Sequence, residues 1–312
     1  MIRERKVKDS IVAITEGETE VESLKKNLDL LPISQIIKKQ DKVVIIPNWV
    51  NSNGIKTGAT VGDKTLKSLI KYIKTKNPSQ IYIAAGSGRE ETKNVFHNVG
   101  YDKIIKEENV EFIDLNYGPY VDIELEYGLL KSTPINKIIK EADVIVSFTQ
   151  LKHHEEATIS ASIKNMVMSS APAQIHGHPK KATGIHEDLH GFIRGLANQI
   201  PIDLSIISCD KAMIGTGPSN GKAVDTKGLI ITSTDAVSAD AVGARLLGFL
   251  PQAVCYLYNL YNDKVGQADP LKMQILGIQL QEAEQIFSKC AYDDKEIMID
   301  NDYIKSIHGE KV

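Results

Sequence analysis

Cysteine, excess charge of either sign and long apolar runs are all scarce in this chain. Its 312 residues include three cysteines, Cys209, Cys255 and Cys290, too widely separated to form a Cys-x-x-Cys pair. Neither a disulfide framework nor a cysteine metal site is available, so no iron–sulfur cluster is expected, and each thiol reads as a small buried hydrophobe. Lysine and arginine number 37 against 40 acidic residues, a net charge of -3. That balance supplies no basic field for a polyanion, and nucleic acid is not an expected partner. No uninterrupted apolar run approaches the roughly 20 residues of a membrane span. The opening stretch "MIRERKVKDSIVAITEGE" has no apolar segment long enough for a signal peptide, so a cytoplasmic protein without a membrane partner is expected. There is no low-complexity linker, no repeat period of a solenoid, no H-E-x-x-H ligand signature and no P-loop ending. Nothing in the pattern fixes an oligomeric state.

What the sequence does contain is alternation. "DKVVIIPN" (41–48) is a β-branched run stopped by proline, and "TLKSLIKYIKTKNP" (65–78) repeats apolar residues at helical spacing. "QIYIAAGSG" reads as a second strand, "ETKNVFHNVGY" as a helix closed by Gly100, and "NVEFIDLN" as a third strand. "INKIIKEADVIVSFTQ" gives a helix and then a strand. Further on, "EDLHGFIRGLANQI" is helical, "IDLSIISC" and "KGLIITST" are strands, and "DAVSADAVGARLLGF" is an alanine-rich helix. Continuous hydrophobic strands between amphipathic helices predict an α/β fold with a mostly parallel sheet covered on both faces. The length suits one large or two medium domains. The expected arrangement is an N-terminal α/β domain (1–200) and a C-terminal α/β domain (201–312) with a cleft between them, the boundary placed at "NQIP". Four loops lie at predicted strand ends, where ligands of such sheets bind: "PNWVNSNGIKTG", "GSGREET", "TQLKHHEEAT" and "DKAMIGTGPSNGKA".

Six of the eight histidines fall between His153 and His190, four of them in "KNMVMSSAPAQIHGHPKKATGIHEDLH" (164–190). His176 and His178 would share a face in an extended loop and form a candidate metal pair for a transition metal such as nickel or zinc, with Glu187 or Asp188 behind them. A solvated, histidine-bearing loop explains the spacing equally well. Lys164, among apolar and small neighbours, is a candidate base or amine nucleophile; taken alone, a lysine whose stem covers apolar surface is the stronger reading. Ser87, Gly88 and Arg89 in "GSGREET" could receive a carboxylate or phosphate, while Ser87 with Glu90 also fits a helix capping box. "GTGPSNG" reads as an ordinary glycine-rich turn. Asp235 is placed to cap a helix, and the part played by Asp240 stays open.

The order of "IIPNWV", "IYIAAGSGREETKNVFHNVGY", "EADVIVSFTQLKHHEEATISASIKNM", "IDLSIISCDKAMIGTGPSNGK" and "TSTDAVSADAVGARLLG" resembles the family termed domain of unknown function 362, from about residue 40 to 270. That resemblance implies no particular reaction. More distantly the chain is similar to the nickel-dependent lactate racemases, two-domain α/β enzymes whose nickel pincer nucleotide is carried by a lysine. By that likeness His154, ten residues before Lys164, takes the place of a catalytic histidine. Lys164 takes that of the cofactor-bearing lysine, and His176 or His178 that of a nickel ligand. Gly88 stands where those enzymes carry a second proton-transferring histidine, and "PNWVNSN" replaces their arginine-bearing loop, so two-base racemisation is not implied. A substrate carboxylate would then fall to Arg89 or Lys152.

Together these readings lead to an expected enzyme acting on a small carboxylated or phosphorylated metabolite. His154 would be acid/base, Lys164 anchor or electrophile, Ser87, Gly88 and Arg89 binding groups, and His176 and His178 metal ligands. The competing expectation is a protein that binds a metal, nucleotide or small anion without turning it over.

Overall fold

The structure is a computed structural model that describes residues 2–49, 51–181 and 184–292. Its strands are β1 (Ile11–Thr15), β2 (Lys42–Pro47), β3 (Gln80–Ala85), β4 (Glu111–Asp114), β5 (Tyr120–Glu124), β6 (Ser132–Asn136), β7 (Val144–His154), β8 (Thr158–Ser160), β9 (Leu204–Ile214), β10 (Lys222–Asp225), β11 (Ile230–Ser233) and β12 (Gln274–Gly277). The helices are α1 (Glu20–Leu30), α2 (Ile33–Ile36), α3 (Asp63–Lys74), α4 (Thr92–Asn98), α5 (Tyr101–Glu107), α6 (Lys137–Glu141), α7 (Ser162–Ser170), α8 (Ala173–His176), α9 (Leu189–Gln199), α10 (Ala236–Leu246), α11 (Cys255–Asn262) and α12 (Leu280–Tyr292).

Ten strands form one mixed sheet in the order β12-β1-β11-β9-β7-β2-β3-β4, with β8 and β10 added as hairpin partners of β7 and β9. The run from β9 to β4 is parallel throughout. β2 shows why its sequence has no polar alternation. Val43 and Ile45 enter one core with Leu66, Leu69, Ile70 and Ile73 of α3, while Val44 and Ile46 enter the other with Met166, Phe192 and Ile193. Both faces of the pleat are covered, and each fully buried Val or Ile stabilises the fold by roughly 2 kcal/mol. The α/β class with a largely parallel sheet covered on both faces is therefore what forms.

The register also shows where the chain departs from the expected pattern. β7 and β9 are parallel neighbours, Val146 opposite Leu204, so the sheet passes directly across position 200. β1, from the amino-terminal end, sits between β11 and β12. The expected division into 1–200 and 201–312 thus falls inside one hydrogen-bonded sheet. "TQLKHHEEAT" is not a loop: β7 continues through His154 and folds back as β8, with His154 opposite Thr158. Much of "DKAMIGTGPSNGKA" is likewise strand, the turn being confined to the segment between Ile214 and Lys222. There Gly217 is required sterically, because a Cβ on it would overlap the His153 carbonyl oxygen. Asp235 caps α10 as expected, accepting from the Val237 and Ser238 amides. Only Cys209 is a buried thiol; Cys255 is exposed and Cys290 partly so, which corrects the reading of all three as core residues. Among the described residues no helix is long and apolar enough to cross a membrane.

Candidate functional site

The parallel strands end at a common edge. From β2 the chain moves to β3 on one side, whereas β7, on the other side of β2, leads on to β9. This reversal opens a crevice beyond the carboxyl ends of β2 and β7. A cavity of about 560 Å³ occupies that position, lined among others by Asn48, Trp49, Gly88, Arg89, His154, Lys164, Lys180, Lys181 and His186. Its cationic side chains, Arg89 and three lysines, outnumber the two acids of its wall, Glu155 and Glu156.

Each wall is fixed by specific contacts. Asn48 continues β2, its amide donating to Phe148 O at 2.9 Å. Its side-chain oxygen accepts from Lys152 Nζ at 2.5 Å. Trp49 is held by Tyr101, with ring centroids 4.9 Å apart, and by Phe96 at 5.5 Å. The turn after β3 is tied down by Asn116, whose Nδ2 donates to Ser87 O (2.9 Å) and to Thr92 Oγ1 (3.0 Å) and whose Oδ1 accepts the Ala173 amide at 2.9 Å. Lys180 Nζ bridges the Gly86 and Met168 carbonyls at 2.9 and 2.6 Å, joining the end of β3 to the last turn of α7.

Helix α7 carries Lys164, Asn165, Met168 and Ser169 into the wall. No side chain of its own caps its amino end. Asp240, from α10, does so instead: its carboxylate accepts the Ser162 amide at 2.7 Å, the Ile163 amide at 3.2 Å and the Tyr256 hydroxyl at 3.0 Å. Asn165 then pins the helix to the sheet by donating to Ile46 O and Ser147 Oγ. Lys164 is consequently held in place from two sides.

Burial dominates the electrostatics of this region because a low-dielectric site disfavours the charged form of any group. It lowers Lys164 to about 8, a shift that the Glu156 carboxylate partly opposes. Lys152, fully enclosed beneath Asn48, drops to about 7 through burial and then through the charge of Lys164. Lys180 drops to about 7, again through burial. Among the described residues Lys164 Nζ has no hydrogen-bond partner, unlike the other two, and its side chain is 8% exposed. Glu156 is engaged elsewhere, with Lys181 at 3.0 Å and His186 at 2.5 Å.

His154 Nδ1 accepts the backbone amides of Glu156 and Ala157, both at 3.1 Å. Two donors at Nδ1 leave the ring proton on Nε2. Burial, reinforced by the charges of Lys164 and Lys152, holds this imidazole far below its usual pKa.

Of the residues singled out in the sequence, the fold gathers Gly88, Arg89, His154 and Lys164 around the cavity. Ser87 is fully buried, and its amide donates to Thr92 Oγ1 at 3.1 Å; α4 begins only at Thr92, and Glu90 turns to the Ser52 amide and hydroxyl, so no capping box forms. His176 is buried with its Nε2 3.1 Å from Thr133 Oγ1 and its ring beside Phe192. His178 Nε2 lies 3.6 Å from Glu91 Oε1. Neither ring lines the cavity. Among the described residues no group of three or more His, Cys, Asp or Glu is disposed to hold a metal ion. The sequence leaves the part played by Asp240 open and offers Lys152 only as a group for a substrate carboxylate. The first lies little more than one turn into a buried helix and the second sits in a strand read as a loop, and only tertiary packing reveals their roles.

The chain belongs to the family described as a domain of unknown function (DUF362), whose profile matches residues 43–245 and so encloses every cavity residue named above. It is similar to thylakoid-associated protein sll1697 of Synechocystis sp., 20% identical over 223 residues that make up 71% of this chain and 68% of that protein. Among solved structures it is similar to the lactate racemase apoprotein from Thermoanaerobacterium thermosaccharolyticum, with a TM-score of 0.41 and 16% identity over 77% of this chain. The matched region spans 57% of that structure's length.

Proposed function

We propose that the protein is an enzyme acting on a small carboxylated or phosphorylated metabolite held in this cavity, with Lys164 as the reacting amine. The observation that carries the reading is the Lys164 ammonium itself, enclosed yet without a hydrogen-bond partner among the described residues, in a cavity whose cations exceed its acids. Such a group is left to be completed by an anion. Arg89 and Lys181, on the same wall, supply further charge for the carboxylate or phosphate. In place of the acid/base role expected of His154, the geometry favours a neutral imidazole that donates from Nε2 and polarises a substrate oxygen. His176 and His178 are outside the lining of this cavity, and the reading gives them no part in its chemistry.

Trp49, the chain's one tryptophan, lines the cavity and provides the readout. Titration with inorganic phosphate or pyruvate is expected to change Trp49 fluorescence saturably, and Lys164→Met to weaken that response. With a panel of small carboxylated and phosphorylated compounds followed by mass spectrometry, the wild-type protein is expected to convert at least one, and Lys164→Met to lower the rate by roughly 100-fold or more. Saturable binding with no conversion of any compound would favour the carrier reading; a silent tryptophan with both anions would remove the site.

A further inference from the structure

Resting on that reading, we infer that Lys164 forms a Schiff base with the carbonyl carbon of a small 2-oxo acid, while Arg89 and Lys181 receive its carboxylate and His154 Nε2–H holds its carbonyl oxygen.

Three features of the cavity distinguish a reacting amine from an anchoring ammonium. First, an anchoring lysine is held by acceptor atoms, as Lys180 is by Gly86 O and Met168 O. Lys164 donates to none of the described groups, and the acid whose charge acts on it, Glu156, is bound to Lys181 and His186. Second, burial lowers Lys164 to about 8 against the opposing charge of Glu156, so part of the amine is neutral and able to attack near neutral pH. Third, the His154 imidazole, with Nδ1 accepting two backbone amides, is a donor at Nε2 rather than a base, the form suited to an oxygen that gains electron density. The cavity also has room for a molecule of a few carbons beside these groups.

The step balances without a further reactant. The Nζ lone pair forms the C–N bond as the carbonyl π pair moves to oxygen. The proton released from nitrogen passes to that oxygen, giving a carbinolamine. Uptake of one proton then expels water and leaves the iminium ion. An oxidant or reductant is not consumed, and an iminium so placed withdraws electrons from the adjacent carbon, favouring loss of a proton, or of CO2 from a carboxylate carried on that carbon.

The test is reductive trapping. Native protein is incubated with pyruvate and sodium cyanoborohydride, and intact mass and peptide mapping locate the adduct, with Trp49 fluorescence recording binding in parallel. The expected result is one carboxyethyl group per chain, on Lys164, suppressed by excess inorganic phosphate and absent from Lys164→Arg. Fluorescence that reports pyruvate binding with no adduct on Lys164, or with adducts spread over exposed lysines, would overturn the Schiff base and leave the anion site standing. No response to pyruvate or to phosphate would overturn both. Should Lys164→Arg fold poorly, phosphate protection of the wild-type adduct carries the same distinction.

Discussion

Asp240→Ala is expected to lower the free energy of unfolding by about 3 kcal/mol, the sum of a lost helix cap and stranded buried donors. Three groups lose their acceptor together: the Ser162 and Ile163 amides at the start of α7, and the Tyr256 hydroxyl. All lie where water does not reach, since Asp240, Ser162 and Tyr256 are each fully buried. Urea denaturation at neutral pH measures the loss, and a midpoint unchanged from wild type would show that α7 needs no cap from α10. The effect should extend to chemistry, because Lys164 lies two residues beyond Ser162. Asp240→Asn, which retains an acceptor oxygen, should cost about 1 kcal/mol. The two variants also differ in pH dependence. Burial raises Asp240 to about 7, against the opposing hydrogen bonds from Ile163, Tyr256 and Ser162. A carboxyl whose folded pKa is raised contributes stability that is present at low pH and is lost as pH climbs through that value. Wild type should therefore gain on Asp240→Asn as pH falls below about 7.

The second large effect is a rise of stability on the alkaline side. Lys152 and Lys180 titrate near 7 in the folded protein and Lys164 near 8, against 10.5 for an unburied lysine. Between those values the unfolded chain binds more protons, so raising the pH favours the folded state, and lowering it through the folded pKa removes that stability. The limiting slope is about 1.4 kcal/mol per pH unit for each group. Allowing for relaxation around the buried amines, the unfolding free energy should increase by about 2 kcal/mol or more over the first units above neutrality. Lys152→Met should reduce the rise by one group's share, since methionine keeps the stem's packing without the charge. Unfolding that is flat or less favourable to the folded state as the pH is raised would mean that the three amines are hydrated.

The parts of this structure legible in the sequence are those governed by local rules. β2 and β3 declare themselves by unbroken apolar runs, α3 by helical periodicity, and the cap at Asp235 by its position before an alanine-rich helix. The parallel sheet follows from their alternation. What stayed hidden depends on partners distant in the chain. The insertion of β1 between β11 and β12 could not be read from five residues, nor could the continuation of β7 through Lys152, His153 and His154, whose polar side chains imitate a loop. The same limit applied to the site. His154, Lys164 and Arg89, each singled out in the sequence, share a cavity, whereas His176 and His178 do not line it. Those two rings turn to Thr133 and Glu91 because α8 ends between them at Gly177. Three lysines drawn into the interior, none ion-paired to a carboxylate among the described residues, are the feature no residue count could disclose.

Competitive acetylation of the native protein, with each lysine followed by peptide mapping from neutral to alkaline pH, measures the property on which the proposed chemistry stands. Lys164 should acquire label with a midpoint of about 8, well below that of the exposed lysines, and lose it when pyruvate or phosphate is present. Labelling of Lys164 with the midpoint of an ordinary surface amine, near about 10.4, and indifferent to either anion, would contradict the assignment of this cavity as a reactive site.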